Sequence, residues 1–196
     1  DDSVITFRPT LSTFHTLAAQ ADNGVAVQVD VTTTTGALYL DADYENSSTQ
    51  DDTNTVQFAD TVTVTAKTVL TLESTTGSLV PAGSLTLAAA AGVVLHDDMT
   101  AAASNKPLVI NADSDGSGDG TLTVQSGKTV TSNKSDVTIT AWDLDMAGSL
   151  TAGTLSAAVH GSQSGQSVGL GGTSASMHVD AAELQRITVT GGFRLG

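Results

Sequence analysis

The chain contains no cysteine, which removes disulfides, thiolate metal sites and cysteine nucleophiles from consideration. Aromatic side chains make up only 4% of its 196 residues, so a core built on large rings is excluded. Basic residues are scarce, seven against 21 acidic ones, for a formal net charge of −14. Arg8, Lys67, Lys106, Lys128, Lys134, Arg186 and Arg194 are also scattered. Displacing counterions from nucleic acid, or holding an anionic membrane surface, needs clustered cations. No apolar run approaches the roughly 18 residues of a membrane helix. The longest mild run, LTLAAAAGVVL (85–95), is rich in alanine and interrupted by Thr86. No signal-peptide pattern opens the sequence. It runs from DDSVITF to GGFRLG and is expected to be a fragment or mature piece of something longer.

Valine, leucine, alanine, threonine and 19 glycines make up much of the chain. Valine and threonine suit pleated, half-buried strands. Period-2 alternation recurs throughout, and helical spacing hardly occurs. VAVQVDV (25–31) places Val25, Val27, Val29 and Val31 on one face, and ALYLDAD (37–43) does the same for Leu38 and Leu40. VTVTA (62–66), LTLES (70–74), SLTLA (84–88), PLVINAD (107–113), TLTVQ (121–125) and DVTITAW (136–142) follow the same rule. Each run ends at Gly, Asn, Asp or Ser. An all-β chain of many short strands follows: a sandwich, a barrel or a solenoid.

Internal repetition favours the solenoid. Gly24 matches Gly92 and Asp30 matches Asp98 at one offset, and Ala42-Asp43 matches Ala112-Asp113 after a short insertion. Thr55 meets Thr121, Lys67 meets Lys134, Ser78-Leu79 meets Ser149-Leu150, and AGSL (82–85) meets AGTL (152–155). A unit of about 70 residues is therefore present twice, as copy one over 24–91 and copy two over 92–165. Residues 166–196 form a C-terminal element. Residues 1–23 match neither copy and are expected to form a first coil. Stacked coils of about twenty residues, spaced by about 4.8 Å, predict eight to ten coils in a rod roughly 40 Å long.

LVINADSDGSGDGTLTVQSGKTVTSNKSDVTITAWDLDMAGSLTAG (108–153) resembles the repeats of very large filamentous-haemagglutinin-like surface proteins. SVGLGGTSASMHVDAAELQRITVTGGFRLG (167–196) is similar to another recurring element of that family. The resemblance covers residues 92–196 well and 24–91 as a weaker copy. It implies a right-handed parallel β-helix, an extracellular or cell-surface location, and a structural or adhesive segment of a filament. It implies no catalysis. The partners implied are copies of the chain or adjacent repeats, and surface glycans or other surface proteins. In DAAELQR (180–186), Asp180 and Glu183 have the spacing of a capping box, so a short helical insertion is expected there.

Asp113, Asp115, Ser117 and Asp119 in NADSDGSGDG (111–120) are the candidate site residues. Alternating oxygen donors followed by Gly118 resemble the start of a calcium loop. The twelfth position is Val124, however, so the distal acidic ligand is missing. A solvated corner, in which Asp, Ser and Gly supply turn geometry, accounts for the same residues. Both readings stand at this point. The first copy's loop, YENSSTQDDTN (44–54), keeps the acids Glu45, Asp51 and Asp52 without the spacing.

Other chemistry is weakly signalled. Asp97 and Asp98 are neighbours, so on a strand they point to opposite faces and cannot flank a sugar as a pair. Asp143 and Asp145 share a face, with no basic cluster beside them. His15, His96, His160 and His178 follow no metal-ligand spacing. GLGG (169–172) lacks the lysine of a phosphate loop and reads as a tight turn. No catalytic residue and no cofactor-binding residue is assigned. Two further functions remain as alternatives. A carbohydrate-binding or polysaccharide-depolymerising β-helix would align Trp142 and the tyrosines along one flank. An ice-binding solenoid would use the threonine runs. Since neither end reads as a polar cap, end-to-end association is also expected.

Overall fold

A computed structural model describes residues 3–46 and 53–196. The short alternating runs become strands separated by corners. The first coil is β1 (Ile5–Phe7), β2 (Ser12–Phe14) and β3 (Leu17–Gln20), and the second is β4 (Val25–Val27), β5 (Val31–Thr33) and β6 (Leu38–Asp41). The third is β7 (Thr55–Phe58), β8 (Val62–Ala66) and β9 (Leu70–Glu73), and the fourth β10 (Ser78–Pro81), β11 (Leu85–Ala89) and β12 (Val93–Leu95). The fifth is β13 (Met99–Thr100), β14 (Leu108–Asn111) and β15 (Thr121–Val124), and the sixth β16 (Thr129–Thr131), β17 (Val137–Ala141) and β18 (Asp143–Met146). Then come β19 (Ser149–Gly153), β20 (Ser156–Gly161), β21 (Val168–Leu170), β22 (Met177–Val179), helix α1 (Ala181–Gln185), β23 (Ile187–Val189) and β24 (Gly192–Leu195).

As far as β20 every third strand pairs, always parallel, to make three faces. The first face runs β1-β4-β7-β10-β13-β16-β19-β23 and the second β2-β5-β8-β11-β14-β17-β20-β24, each eight strands long. The third runs β3-β6-β9-β12-β15-β18, six strands long. This is a parallel β-helix. At about 4.8 Å per coil, eight levels span roughly 35 Å.

The interior is made of aliphatic columns. Leu17, Leu38, Leu70, Val93, Leu122 and Leu144 stand in register along the third face. All but the first, which lies in the end coil, are buried. Each such side chain contributes about 1.5–3 kcal/mol by leaving water, mostly against the coils directly above and below. Corners require close backbone approach. A Cβ on Gly77 would lie 1.7 Å from the Asn54 carbonyl oxygen of the preceding coil, so only glycine fits there.

The run Val25–Val31 is not one strand. Val25 and Val27 belong to the first face and Val31 to the second, because the chain turns at Gln28–Asp30 while keeping its alternation. Gly24 and Gly92 occupy equivalent local niches. Both have φ near +130°, at 127° and 132°, and an added Cβ would meet the carbonyl oxygen of Thr55 or Thr121 respectively. Yet Gly24 leads into the first face and Gly92 into the third. The duplicated sequence thus recurs at a different side of the rod.

The third face ends in an unusual way. Strand β22 lies beside β18, and β21 pairs parallel with β22. The Met177 N–H donates to the Ser167 carbonyl, and the Val179 carbonyl accepts from Gly171 N–H, so both point towards β21. Between them, His178 N–H points the other way and donates to Asp143 Oδ1 on β18, at 3.0 Å. The spatial order is therefore β18, β22, β21. The chain moves one level ahead to lay β21, returns to lay β22 beneath it, and only then continues to β23 and β24. Helix α1 fastens this excursion. Its capping box is present, with Asp180 Oδ1 accepting from Glu183 N–H and Glu183 Oε2 accepting from Asp180 N–H. Glu183 Oε1 also accepts from Met146 N–H at 3.0 Å, and Arg186 Nη1 donates to the Met146 carbonyl at 2.8 Å. Two side chains thus satisfy the edge groups of β18 that a further strand would otherwise take.

Candidate functional site

The corner between β14 and β15 carries all four site candidates. Among the described residues, Asp113, Asp115 and Asp119 are the one group of three or more acids or histidines whose ligand atoms converge, all within 4.8 Å of one another. Ser117 sits among them as a donor. Its N–H donates to Asp113 Oδ1 at 3.1 Å and Asp115 Oδ1 at 3.2 Å. Its hydroxyl donates to Asp119 Oδ1 at 2.7 Å and lies 3.3 Å from Asp113 Oδ1. Hydrogen bonding from Ser117, through its side chain first and then its backbone N–H, holds the Asp115 carboxyl below the usual carboxylate range.

Asp113 is the buried member. Its second oxygen accepts from Gly118 N–H at 3.1 Å and from Ser162 Oγ at 2.5 Å, two levels further along the rod. Gln163 Nε2 donates to the Gly116 carbonyl at 2.7 Å, and Trp142 lies against Gly118. On the other side, Ser114 N–H donates to the Ala89 carbonyl, and Lys67 Nζ stands 4.0 Å from Asp115 Oδ2. The loop therefore lies as a strap across several coils, with both oxygens of its buried carboxylate already bonded. A calcium ion would have to compete with those bonds for the same lone pairs. In the first copy, Asp51 and Asp52 lie outside the described residues.

The remaining acids have a common task. Asp30 Oδ1 accepts from Thr63 N–H, Asp60 Oδ1 from Ser84 N–H and Asp98 Oδ1 from Thr129 N–H, each at 2.7 Å. Asp136 Oδ1 accepts from Ser156 N–H at 3.0 Å and from its hydroxyl at 2.6 Å. Each of these carboxylates sits just before a strand, and its donor is the N–H of an outward residue one coil on. There the ladder has no backbone carbonyl to offer, and the side chain supplies one. Lys106 holds the Asp60 carboxyl below its usual range, chiefly through a 2.5 Å hydrogen bond, and Ser156 does the same for Asp136. Asp97 and Asp98 do point apart. Asp98 is exposed, while Asp97 is buried and accepts from Ser74 N–H at 2.7 Å and Lys128 Nζ at 2.5 Å.

Sequence reasoning missed a cluster on the third face. Asp41 and Glu73 stand side by side on β6 and β9. The Tyr39 hydroxyl lies 2.6 Å from Glu73 Oε2 and 3.1 Å from Asp41 Oδ2. Burial first, and then the bond to Glu73, push this phenol well above its ordinary range. Alternation alone places Tyr39 and Asp41 on one outward face, but Glu73 joins them only once the coil register is known. The aromatic side chains do not align on one flank. Tyr39 is tied down on the third face, Tyr44 is exposed at a corner beyond β6, and Trp142 packs at the corner between β17 and β18. The histidines stay apart. His96 Nδ1 lies 3.1 Å from Gln125 Oε1, and His178 Nε2 lies 2.7 Å from the Gly171 carbonyl. GLGG closes β21 as a tight turn, with Gly171 at φ 63°.

The chain matches no family model, no curated protein and no solved structure.

Proposed function

We propose that this chain is a structural or adhesive β-solenoid segment of an extracellular filament or cell-surface adhesin. The observation that carries the reading is how its acids are used. Asp30, Asp43, Asp60, Asp97, Asp98 and Asp136 each accept a backbone N–H from a neighbouring coil, so the excess negative charge stitches the rod together. Many outward positions of the first two faces carry short uncharged side chains, such as Thr100, Thr131 and Thr151 or Thr63, Thr86 and Thr138. A stiff rod with flat sides suits spacing and display. Its partners are further copies or repeats of itself, and surface glycans or proteins at its exposed flanks.

The test is immunogold labelling of intact native cells with antibody raised against the folded chain. Label along fibres or at the cell surface supports the reading. Label confined to the cell interior after permeabilisation removes it.

A further inference from the structure

One corner of the rod is recessed. Passing from the third face to the first, the chain turns through residues 74–77, 96–98 and 125–128, and then through residues 147–148 alone. This short turn lies tight against the coil before it. A Cβ on Gly148 would lie 2.4 Å from the Lys128 carbonyl oxygen and 2.5 Å from that of Gln125, so the turn needs glycine there. The neighbouring levels carry more chain at the same corner, with Gly127 and Lys128 before it and Arg186, which follows α1, after it. Between them lies a notch of about 220 Å³, walled by Lys128, Thr129, Ala147, Ser149 and Arg186. Two of the seven basic residues thus meet at one cavity, in a chain whose net charge is −14. By contrast, two hollows on the first face, which share Ala26 and Gln57, have no charged lining.

We propose that this notch binds the carboxylate of an acidic sugar unit. The proposal rests on the reading of the rod as a surface segment that meets glycans, and it names the class of glycan and the place.

Three observations carry it. The first is Arg186 itself. Its Nη1 donates to the Met146 carbonyl at 2.8 Å, which fixes the guanidinium at the wall of the notch. The ion pairs among the described residues engage Lys67, Lys106 and Lys128 and leave Arg186 out. A guanidinium offers five N–H donors in a planar fork that matches the two oxygens of a carboxylate. Here one is spent on Met146, and the rest are left for a ligand.

The second is that the acids around the notch already serve the rod. Asp97 Oδ1 accepts from Lys128 Nζ at 2.5 Å, and Asp98 Oδ1 from Thr129 N–H at 2.7 Å. The two oxygens of Glu183 accept from the Met146 and Asp180 N–H groups. Lys128 therefore adds donors to the notch, while the unpaired charge is that of Arg186.

The third is the neutral lining and the size. Thr129 Oγ1 and Ser149 Oγ lie 2.9 Å apart, so one hydroxyl proton joins them and the other is left to donate. A hydroxyl pair beside a cation suits a ring that carries both hydroxyls and a carboxylate. Pockets for drug-sized ligands run to about 300–1,000 Å³, so this smaller one takes a single sugar unit.

The test is a titration of the isotope-labelled chain, followed by NMR, with glucuronic acid, with glucose and with acetate at neutral pH. Glucuronic acid should shift the Gly148 and Ser149 amide signals and the Arg186 side-chain N–H signal, and the shifts should saturate. Glucose should leave them in place, and acetate should bind about tenfold more weakly or less. Arg186→Gln should weaken binding of glucuronic acid about tenfold or more, because hydrogen bonds to a charged group are lost. Ala147→Leu keeps the arginine and fills the notch, so it should abolish the shifts as well. Arg194→Gln removes the same charge from an exposed site on the second face and should change nothing. Acetate binding as tightly as glucuronic acid, unchanged affinity in Arg186→Gln or Ala147→Leu, or no saturable shift in the unsubstituted chain overturns the proposal. Any of these results leaves the filament reading intact, which the labelling of cells decides separately.

Discussion

Asp97 offers the sharpest test of the idea that carboxylates hold adjacent coils together. It lies behind β12, with its side chain 4% exposed against 29% for Lys128. One oxygen accepts from the buried Ser74 N–H and the other from Lys128 Nζ. Asp97→Ala leaves a buried amide without an acceptor, which costs about 1–3 kcal/mol. It also removes an ion pair whose acid is far less hydrated than a surface one, so the total should be about 3 kcal/mol. Asp97→Asn keeps an acceptor for Ser74 but loses the charge and the acceptor for Lys128, so about 1–2 kcal/mol is expected. Lys128→Ala should fall between them, because it leaves a carboxylate nearly out of water with one partner. For a domain of this size, 1 kcal/mol moves Tm by about 2–4 °C, so Asp97→Ala should lower it by about 6–12 °C. Native-state hydrogen exchange is the better assay, since coils can open locally. The Ser74 amide should lose protection in Asp97→Ala and keep most of it in Asp97→Asn. If Asp97→Asn costs as much as Asp97→Ala, the charge rather than the acceptor is what counts, and the stitching argument fails.

Three further predictions concern the other carboxylates. Asp60, Asp136 and Asp180 have folded values below the unfolded one, held down chiefly by Lys106, by Ser156 and by the Glu183 N–H respectively. Their contribution is therefore present above the unfolded value of about 3.9 and lost as pH falls through the folded values. Melting curves should show no effect of these groups between about pH 5 and 8 and a decline below about pH 4; a decline already complete at about pH 5 would contradict their assignment. At the strap, Ser117→Ala removes the hydroxyl shared by the acids and should cost about 1 kcal/mol in a denaturant titration. Because Asp113 is already saturated with donors, millimolar calcium should leave the wild-type melting temperature where EDTA leaves it. A calcium-dependent rise of several degrees would favour the ion instead.

Much of the architecture was legible from alternation. Leu38 and Leu40, or Val62, Val64 and Ala66, are inward as their spacing requires, because a half-buried strand leaves the sequence no other choice. The capping box at Asp180 and Glu183 was equally plain, since it depends on neighbours three residues apart. Corners were harder. Val25 to Val31 keeps its period through the bend, so the pattern carries no mark of the change of face. Gly24 and Gly92 share a local environment without sharing a face, because sequence encodes the turn and its adjacent carbonyl rather than the count of strands since the last turn. The bonds of Asp113 to Ser162 and of Tyr39 to Glu73 join levels of the rod, and their loop lengths vary, so no fixed spacing announces them. The position of β21 ahead of β22 lies beyond any periodicity, since both orders read alike.

That reversed order gives the rod unequal resistance to tension. Pulled from the β1 side, strands come away one after another, each breaking only its own few bonds at the moment it leaves. Pulled from the β24 side, peeling stops at β22, which is clamped between β18 and β21 and must slide out lengthwise with many contacts loaded together. A tug in one direction unravels the molecule gradually, while a tug in the other meets a latch.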